Sequence, residues 1–183
     1  MTETAFEEAP LIQTERLWLS PFTMDDAEAV FAYAKIPAVS QYTTWTPHTK
    51  IEDAEDFLRY ARGEQFCWAI RLYADGPVVG AIECTSEGPG ESSIHYVLAP
   101  DFWGRGMMTE ATHAVLKWAF DGDPHLERIT TAAVRENRAS RRVLEKCGME
   151  LMGYVAEKWA KFPEPVEVAK YGLTRDAWRR HGS

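Results

Sequence analysis

The sequence predicts an α/β (α+β) fold, a three-layer sandwich in which helices cover both faces of a mixed, mostly antiparallel central sheet. Segments in which apolar and polar residues alternate are interleaved with segments of helical spacing. Three of the strand segments follow one another across short turns that contain glycine and proline, which is typical of antiparallel hairpins. One later strand–helix–strand run predicts a parallel crossover in the same sheet.

These patterns give the element order β-α-α-β-β-β-α-β-α-β-β. The predicted strands lie at 16–19, 66–72, 78–85, 93–98, 129–134, 151–159 and 166–174. The predicted helices lie at 27–34, 51–61, 108–118 and 139–147. Residues 23–26 and 49–52 are typical of helix N-termini, since Thr49 and Glu52 can each bind a free backbone N–H group. Pro37 ends the first helix, and Gly148 ends the last one in the left-handed conformation.

Length and composition indicate one domain spanning residues 1–183, with residues 1–10 as a short flexible tail. The tail is acidic and does not resemble a secretory signal, and no stretch is apolar for long enough to cross a membrane. A formal net charge of −8 argues against a nucleic-acid partner. Cys67, Cys84 and Cys147 lie too far apart for a CxxC pair or a zinc pattern. We expect them to be small buried hydrophobes in a cytoplasmic protein.

Residues 96–111 run from a strand through a glycine-bearing turn directly into a helix. Backbone N–H groups at the positive end of a helix bind anions, and glycine lets a ligand approach closely. The N–H groups expected to converge there belong to Gly104, Arg105, Gly106, Met107 and Met108. We expect a pyrophosphate site, although an ordinary strand-to-helix turn fits the same pattern. The turn is not a P-loop, because no lysine follows the glycines, nor a dinucleotide fingerprint, because Thr109 replaces its last glycine.

A second motif follows at residues 135–149, where Asn137-Arg138-Ala139-Ser140 precedes Glu145-Lys146-Cys147-Gly148. Together, the two motifs resemble the GNAT superfamily of N-acetyltransferases. The pattern Tyr-x-Leu-x-Pro-x-x-Trp-Gly-Arg-Gly-x-x-Thr-Glu-Ala at 96–111 is similar to the branch of RimJ and RimL, the ribosomal-protein N-terminal acetyltransferases. The opening segment 14–19 and the segment 45–48 are similar to that branch too, and the resemblance covers residues 14–173.

The resemblance implies the acyl-CoA N-acyltransferase fold, with acetyl-CoA as co-substrate. It implies that the pyrophosphate is cradled by Trp103, Gly104, Arg105, Gly106, Met107 and Met108. The backbone of Val97, Leu98 and Ala99 would pair with the pantetheine arm as an added strand does. Asn137 would hydrogen-bond the arm, and Ser140 would face the thioester sulfur. A plain helix cap is the alternative role for Asn137.

The chain departs from the family pattern at four positions. Asp101 stands where the superfamily loop usually begins with Gln or Arg, and Leu144 stands where many members have a tyrosine acid. Ser93 and His95 replace a Glu and a Gly that branch members often have. The identity of the general base is therefore open.

An amine attacks a thioester only when it is neutral. A lysine amine has a pKa near 10.4 and an α-amine near 8, so at pH 7.5 deprotonation costs about 4 kcal/mol for the first and less than about 1 kcal/mol for the second. An enzyme for α-amines can therefore work with a weak base or a water relay.

Glu83 and His95 are the candidate bases, because a hairpin that turns at 88–89 sets them almost opposite each other. A carboxylate among apolar neighbours has a raised pKa, which suits a base. Their structural alternatives are a partly solvated strand residue and a hydrogen-bonded filler. A backbone N–H near Val97 or Leu98 could bind the oxyanion, Ser140 could protonate the leaving thiolate, and the reaction needs no metal.

Two classes of function fit these motifs, an acetyltransferase and a non-catalytic acyl-CoA-binding sensor. For the enzyme, the acceptor is either a protein N-terminus or a small amine. Its pocket is expected in loops 36–50 and 161–165, where the candidate lining aromatics are Tyr42, Trp45, Trp159 and Phe162. We expect neither a membrane nor a nucleic-acid partner. The sequence leaves the oligomeric state open, and a homodimer is compatible with it.

Overall fold

One sheet organises the residues that the computed structural model describes, 9–63 and 66–181. The strands are β1 (Ile12–Gln13), β2 (Trp18–Ser20), β3 (Phe66–Arg71), β4 (Gly80–Gly88), β5 (Glu91–Leu98), β6 (Arg128–Val134), β7 (Glu150–Glu157) and β8 (Val166–Thr174). The helices are α1 (Ala27–Ala34), α2 (Pro37–Ser40), α3 (Ile51–Ala61), α4 (Met107–Gly122), α5 (Arg138–Lys146) and α6 (Arg175–His181). Within the described residues the strands form an eight-stranded sheet in the order β1-β2-β3-β4-β5-β6-β8-β7.

Alternation along the central strands divides the core into two clusters, one on each face of the sheet. Cys67, Ala69 and Ala81 face α1, α2 and α3. Trp68 and Ile82 face the other way, into the cluster that includes α4, α5 and α6. Because successive strand residues point to opposite faces, both faces are buried and helices cover each of them. The predicted three-layer sandwich is confirmed.

Strand pairing is antiparallel throughout this sheet except between β5 and β6, which run parallel on either side of the α4 crossover. That parallel pairing extends from Glu91 opposite Arg128 to Ser93 opposite Thr130. Beyond it, β5 continues to Leu98 and β6 to Val134 without pairing to each other. The two strands therefore leave a gap, which is lined by residues 94–98 and 131–134.

The sequence did not predict three short elements, β1, α2 and α6. Pro37 does follow the end of α1, but it also opens α2, because the first position of a helix does not need the missing proline N–H group. The structure also starts β4 at Gly80 rather than at residue 78, and ends β7 at Glu157 rather than at residue 159. The β8 bounds agree with the prediction.

Two helix N-termini have the predicted hydroxyl and carboxylate, although one carboxylate is a different residue. In the short 3₁₀ turn Met24–Asp26 that leads into α1, Asp26 Oδ2 accepts a hydrogen bond from the Thr23 N–H group at 2.8 Å, which agrees with the capping signal at 23–26. At α3, the prediction of Glu52 is wrong, because Asp53 accepts from the Thr49 N–H group at 2.7 Å and from the Thr49 hydroxyl at 3.0 Å. The helix begins one residue later than the predicted box, so the carboxylate that faces back is also one residue later.

Asp26 also forms a buried ion pair that joins α1 to the sheet. Its carboxylate binds the Arg71 guanidinium at 2.8 Å, and both side chains are about nine-tenths buried. The same guanidinium donates to the Ser20 hydroxyl and to the Gly76 carbonyl. Removing either charge would leave the other buried and unpaired, which typically costs 3–5 kcal/mol.

Ala9 and Pro10, the last two residues of the predicted flexible tail, contact the folded core, so the prediction is wrong for these two residues. Residues 1–8 of the predicted tail lie outside the described residues, whereas Ala9 is buried and the Pro10 carbonyl accepts a hydrogen bond from the Trp68 indole at 2.7 Å. The three cysteines are free and buried, as predicted. Among the described helices, none combines the length and the apolar character needed to span a bilayer.

Candidate active site

The turn between β5 and α4 has the geometry of an anion site. After a short helical turn at Pro100–Phe102, Gly104 and Gly106 adopt φ values of 72° and 77°, a left-handed conformation that disfavours other residues. Gly106 is the N-cap of α4, a helix of 16 residues. The N–H groups of the first helical turn therefore point out of the helix at its positive end.

The side chains around this turn differ in exposure. Trp103 and Arg105 are exposed, and Arg105 packs its guanidinium over the Phe102 ring at 5.8 Å. Met107 is partly buried and Met108 is buried in the core. Met108 can therefore offer a ligand its backbone N–H group but not its side chain.

An ion pair from the N-terminal segment braces the turn. Arg16 Nε lies 2.7 Å from Glu110 Oε2, in the first turn of α4, and Arg16 Nη1 donates to the Arg105 carbonyl at 2.9 Å. Glu110 also accepts from the Thr14 hydroxyl at 2.6 Å and from the Arg16 N–H group at 2.8 Å. Partial burial alone would raise the pKa of Glu110, but these hydrogen bonds and the guanidinium lower it. Glu110 is thus an ionised anchor for the glycine turn.

Two backbone groups at the end of β5 already have partners in the protein. The Trp103 indole donates to the Leu98 carbonyl at 2.7 Å, and the Ala99 N–H group donates to the Val79 carbonyl at 2.8 Å. Gly80 on the neighbouring strand is obligatory, because a Cβ atom there would lie 2.4 Å from the Val97 carbonyl oxygen. These contacts fix the end of β5 beside the gap.

The first turn of α5 lies at the same edge of the sheet as the start of α4, because each helix follows one strand of the parallel pair. Asn137 is the N-cap of α5, and its Oδ1 atom accepts from the Ser140 N–H group at 3.1 Å. The Ser140 hydroxyl lies 2.9 Å from the Tyr96 hydroxyl on β5. The Asn137 side chain is therefore a helix cap, and its amide nitrogen remains available for a second role.

The predicted pairing of Glu83 with His95 is confirmed by the register of β4 and β5. Glu83 is partly buried and His95 is exposed, both on the face covered by α1 and α3. The Tyr60 hydroxyl on α3 lies 3.5 Å from Glu83 Oε2, at the limit of a hydrogen bond. Burial raises the pKa of Glu83 above its ordinary value, and His95 and Tyr60 oppose part of that rise. Such a carboxylate is a better proton acceptor than a solvated one.

The two loops expected to bind the acceptor touch each other. The Lys161 ammonium, in the loop between β7 and β8, donates to the Ser40 carbonyl at the end of α2. Trp159 and Phe162 have ring centroids 6.1 Å apart in the same loop, and Trp45 lies 5.6 Å from the His48 ring in the other. Burial lowers the pKa of both Lys161 and His48.

Sequence reasoning missed three residues of this region. The sequence predicts a strand at Arg16 and a helix at Tyr60, and it includes Tyr96 in a motif, but it predicts a role for none of them; in the structure Arg16 precedes β2. The sequence does contain a signal for Tyr96, because this residue belongs to the same motif as the glycine turn. Arg16 and Tyr60 contact their partners across 94 and 23 residues of chain, a distance that no local pattern encodes.

The position at which many superfamily members have a tyrosine acid is occupied by a core residue. Leu144 on α5 is fully buried among apolar neighbours and has no polar group to offer. Across residues 9–63 and 66–181, no group of three or more His, Cys, Asp or Glu side chains is arranged to hold a metal ion.

Comparisons with known proteins identify the family of the chain. Residues 16–150 match the family model described as an acetyltransferase (GNAT) domain. YoaA of Bacillus subtilis (strain 168), named as an uncharacterized N-acetyltransferase, is 25% identical over 173 residues, which cover 91% of this chain and 97% of YoaA.

Solved structures share the fold. A GNAT-family acetyltransferase from Bacillus anthracis superposes with a TM-score of 0.84 at 28% identity, covering 91% of this chain and 99% of that one. The spermidine N-acetyltransferase of Vibrio cholerae, solved with CoA and spermine, has a TM-score of 0.76 at 15% identity and covers 91% of this chain and 99% of its own. The chain belongs to the GNAT acetyltransferase family and is an N-acetyltransferase.

Proposed function

We propose that the chain transfers the acetyl group of acetyl-CoA to a primary amine by direct attack in a ternary complex. The observation that supports this most is the gap between β5 and β6, which has an anion-binding turn at its end and a carboxylate of raised pKa on the strand beside it. A fold neighbour was solved with CoA and spermine, which is consistent with a CoA site and an amine site in one fold.

In this proposal the glycine turn binds the pyrophosphate through the N–H groups of residues 104–108, and Arg105 adds charge. The pantetheine arm lies along residues 97–99 in the gap. Because the Leu98 carbonyl is taken by Trp103, the arm pairs with other groups of the strand or displaces the indole. The Asn137 amide nitrogen donates to the arm, while its oxygen continues to cap α5.

The chemical step joins the amine nitrogen to the carbonyl carbon and breaks the carbon–sulfur bond. Glu83 takes the amine proton, directly or with the help of His95, and a backbone N–H group near Val97 or Leu98 stabilises the oxyanion. The electron pair of the broken bond stays on sulfur, which receives a proton from Ser140 or from solvent. Tyr60 orients the Glu83 carboxylate from α3.

The acceptor is a protein N-terminus or a small-molecule amine. The RimJ/RimL-like motifs of the chain favour a protein N-terminus. These motifs are residues 14–19, 45–48 and 96–111. The acceptor pocket lies between the two loops that Lys161 joins. Among amines, those of low pKa should react fastest at neutral pH, because more of each is already neutral.

A two-part experiment tests this function. Calorimetry with acetyl-CoA and no added metal should show binding, and free-thiol release should follow when a panel of N-terminal peptides, amino acids and polyamines is added. Binding without thiol release on a broad panel would favour the acyl-CoA sensor. Folded protein that does not bind acetyl-CoA would overturn the proposal.

A further inference from the structure

Tyr96 connects the two sides of the gap. It lies on β5 in the stretch that no longer pairs with β6, and its ring packs against the core cluster that contains α4. Its hydroxyl lies 2.9 Å from Ser140 Oγ and 3.2 Å from the Ser140 carbonyl oxygen. A phenol on one side of the gap therefore contacts the α5 residue that the proposed function sets beside the thioester sulfur.

The proton of Ser140 is free when Tyr96 donates its own proton to Ser140 Oγ, a contact in which either oxygen can be the donor. A phenol has one proton to donate, and both nearby Ser140 oxygens can accept it. Burial raises the pKa of Tyr96, so the phenol keeps that proton at neutral pH. The Ser140 N–H group is occupied by Asn137 Oδ1 at 3.1 Å. With its amide held by Asn137 and its Oγ atom held by the Tyr96 proton, Ser140 can turn its own O–H group toward the gap.

A second phenol shows that α5 does not depend on Tyr96 for its attachment to the sheet. Tyr171 on β8 donates to Glu145 Oε1 at 2.9 Å and accepts from Arg141 Nε at 3.1 Å. It anchors the same helix through different residues and makes no contact with Ser140 among these bonds. The contact of Tyr96 is the one made at the proposed reaction site.

We propose that Tyr96 is a positioning residue that aims the Ser140 hydroxyl at the departing sulfur. This inference rests on the proposed function, which brings the sulfur to Ser140. A hydrogen bond from a fixed hydroxyl is stronger to a developing thiolate than to a neutral thioester, so the contact favours the transition state over the bound substrate. Tyr96 does not itself give up its proton.

A binding experiment tests this without turnover. CoA and desulfo-CoA, which lacks the sulfur atom, are titrated calorimetrically into wild type, Tyr96→Phe, Ser140→Ala and the control Tyr171→Phe. Wild type should prefer CoA, and Tyr96→Phe and Ser140→Ala should both lose about two- to tenfold of that preference, the usual value of one hydrogen bond. Tyr171→Phe should keep it. A Tyr96→Phe variant that keeps the full preference, or a wild type without one, would overturn the inference.

Steady-state kinetics supply the second readout. Tyr96→Phe should lower kcat about two- to tenfold with little change in KM for acetyl-CoA. Because both residues act through one contact, Tyr96→Phe combined with Ser140→Ala should be no slower than Ser140→Ala alone. Effects that multiply in the double variant would show an independent role and contradict the inference. A wild-type protein that binds CoA but acetylates no acceptor would refute the proposed function. The comparison of CoA with desulfo-CoA would still test whether Tyr96 positions the Ser140 hydroxyl.

Discussion

The two halves of the proposed active site, the CoA side and the acceptor side, are built in different ways. On the proposed CoA side, the glycine turn offers backbone groups from one continuous segment, because the conformations of Gly104 and Gly106 direct N–H groups outward at the start of α4. On the proposed acceptor side, Glu83, His95 and Tyr60 come from three separate elements and would act through their side chains. A backbone site is specified by local conformation, whereas a side-chain site depends on how distant elements pack. The two sides should therefore respond differently to substitution.

The largest expected effect is on the acceptor side. Glu83→Gln keeps the size of the side chain and removes the proton acceptor, so kcat should fall by about 10²–10⁴ while acetyl-CoA affinity changes little. The fall should be smaller for an α-amine than for a lysine-like amine, because more of the α-amine is already neutral. Glu91→Gln, at an exposed carboxylate on β5, is the matched control. A Glu83→Gln enzyme within about threefold of wild type on every acceptor would exclude the role.

The same variant should separate activity from stability. Because the pKa of Glu83 is raised in the folded state, the folded protein holds that proton more tightly than the unfolded chain does. The stabilisation is present below the ordinary glutamate pKa and is lost as pH rises through the raised value. Thermal melts should therefore show Glu83→Gln at least as stable as wild type at pH 7, with the difference vanishing in acid. Wild-type kcat/KM should fall as pH drops through the raised pKa.

The next largest effect should fall on the CoA side. Gly106→Asp forces a side chain into a left-handed position and adds negative charge at the anion site, so acetyl-CoA should bind at least about tenfold more weakly. Gly148→Asp is the matched control, because Gly148 also has a left-handed φ, of 80°, and follows the C-terminal end of α5. Its conformational strain is the same, but its charge lies outside the proposed site. Equal loss of affinity in both variants would mean that strain alone is responsible.

A smaller effect should follow from loosening the brace of the glycine turn. Arg16→Met removes the ion pair with Glu110 and the bond to the Arg105 carbonyl, and should weaken acetyl-CoA binding about two- to tenfold. Arg59→Met removes two exposed ion pairs on α3, with Glu55 and Asp56, and should leave affinity unchanged. If calorimetry shows that the two variants bind acetyl-CoA with the same affinity, the ion pair that braces the turn has no part in ligand binding.

The smallest expected effect is at Asn137, which caps α5 and, in the proposed function, also binds the pantetheine arm. Asn137→Ala should cost about 1 kcal/mol of stability through loss of the cap and should also weaken CoA binding. Asn137→Asp keeps a capping oxygen but removes the amide donor, so its stability should match wild type while its affinity falls. An Asn137→Asp variant with wild-type affinity would show that the residue is a cap only.

The features that the sequence predicts correctly are those that depend on local conformation rather than on the packing of distant elements. The glycine turn, the cap at Gly148 and the pairing of Glu83 with His95 depend on neighbours within one turn or hairpin, so local pattern sufficed. The capping pattern that begins at Thr49 predicts Glu52, but the helix starts one residue later, so Asp53 is the carboxylate that faces back.

The contacts of Tyr60, Lys161 and Arg16 could not be predicted in this way. Lys161 contacts Ser40 across 121 residues of chain, and each of the three contacts depends on how elements distant in sequence pack together. Short elements such as β1 and α2 were missed for a related reason, because two to four residues are too few to display a period.

The divergence of β5 and β6 has a consequence for protection against solvent exchange. Within the described strands, the two halves of the sheet are paired at Glu91, Ser92 and Ser93, and the Thr131 hydroxyl adds a bond to the Ile94 carbonyl at 2.7 Å. Beyond that point, the backbone amides that face the gap have no neighbouring strand to shield them. A pantetheine arm seated there would act as an additional strand, so CoA should slow deuterium uptake along residues 94–98 more than along β3. The ligand would then complete the sheet that the polypeptide leaves open.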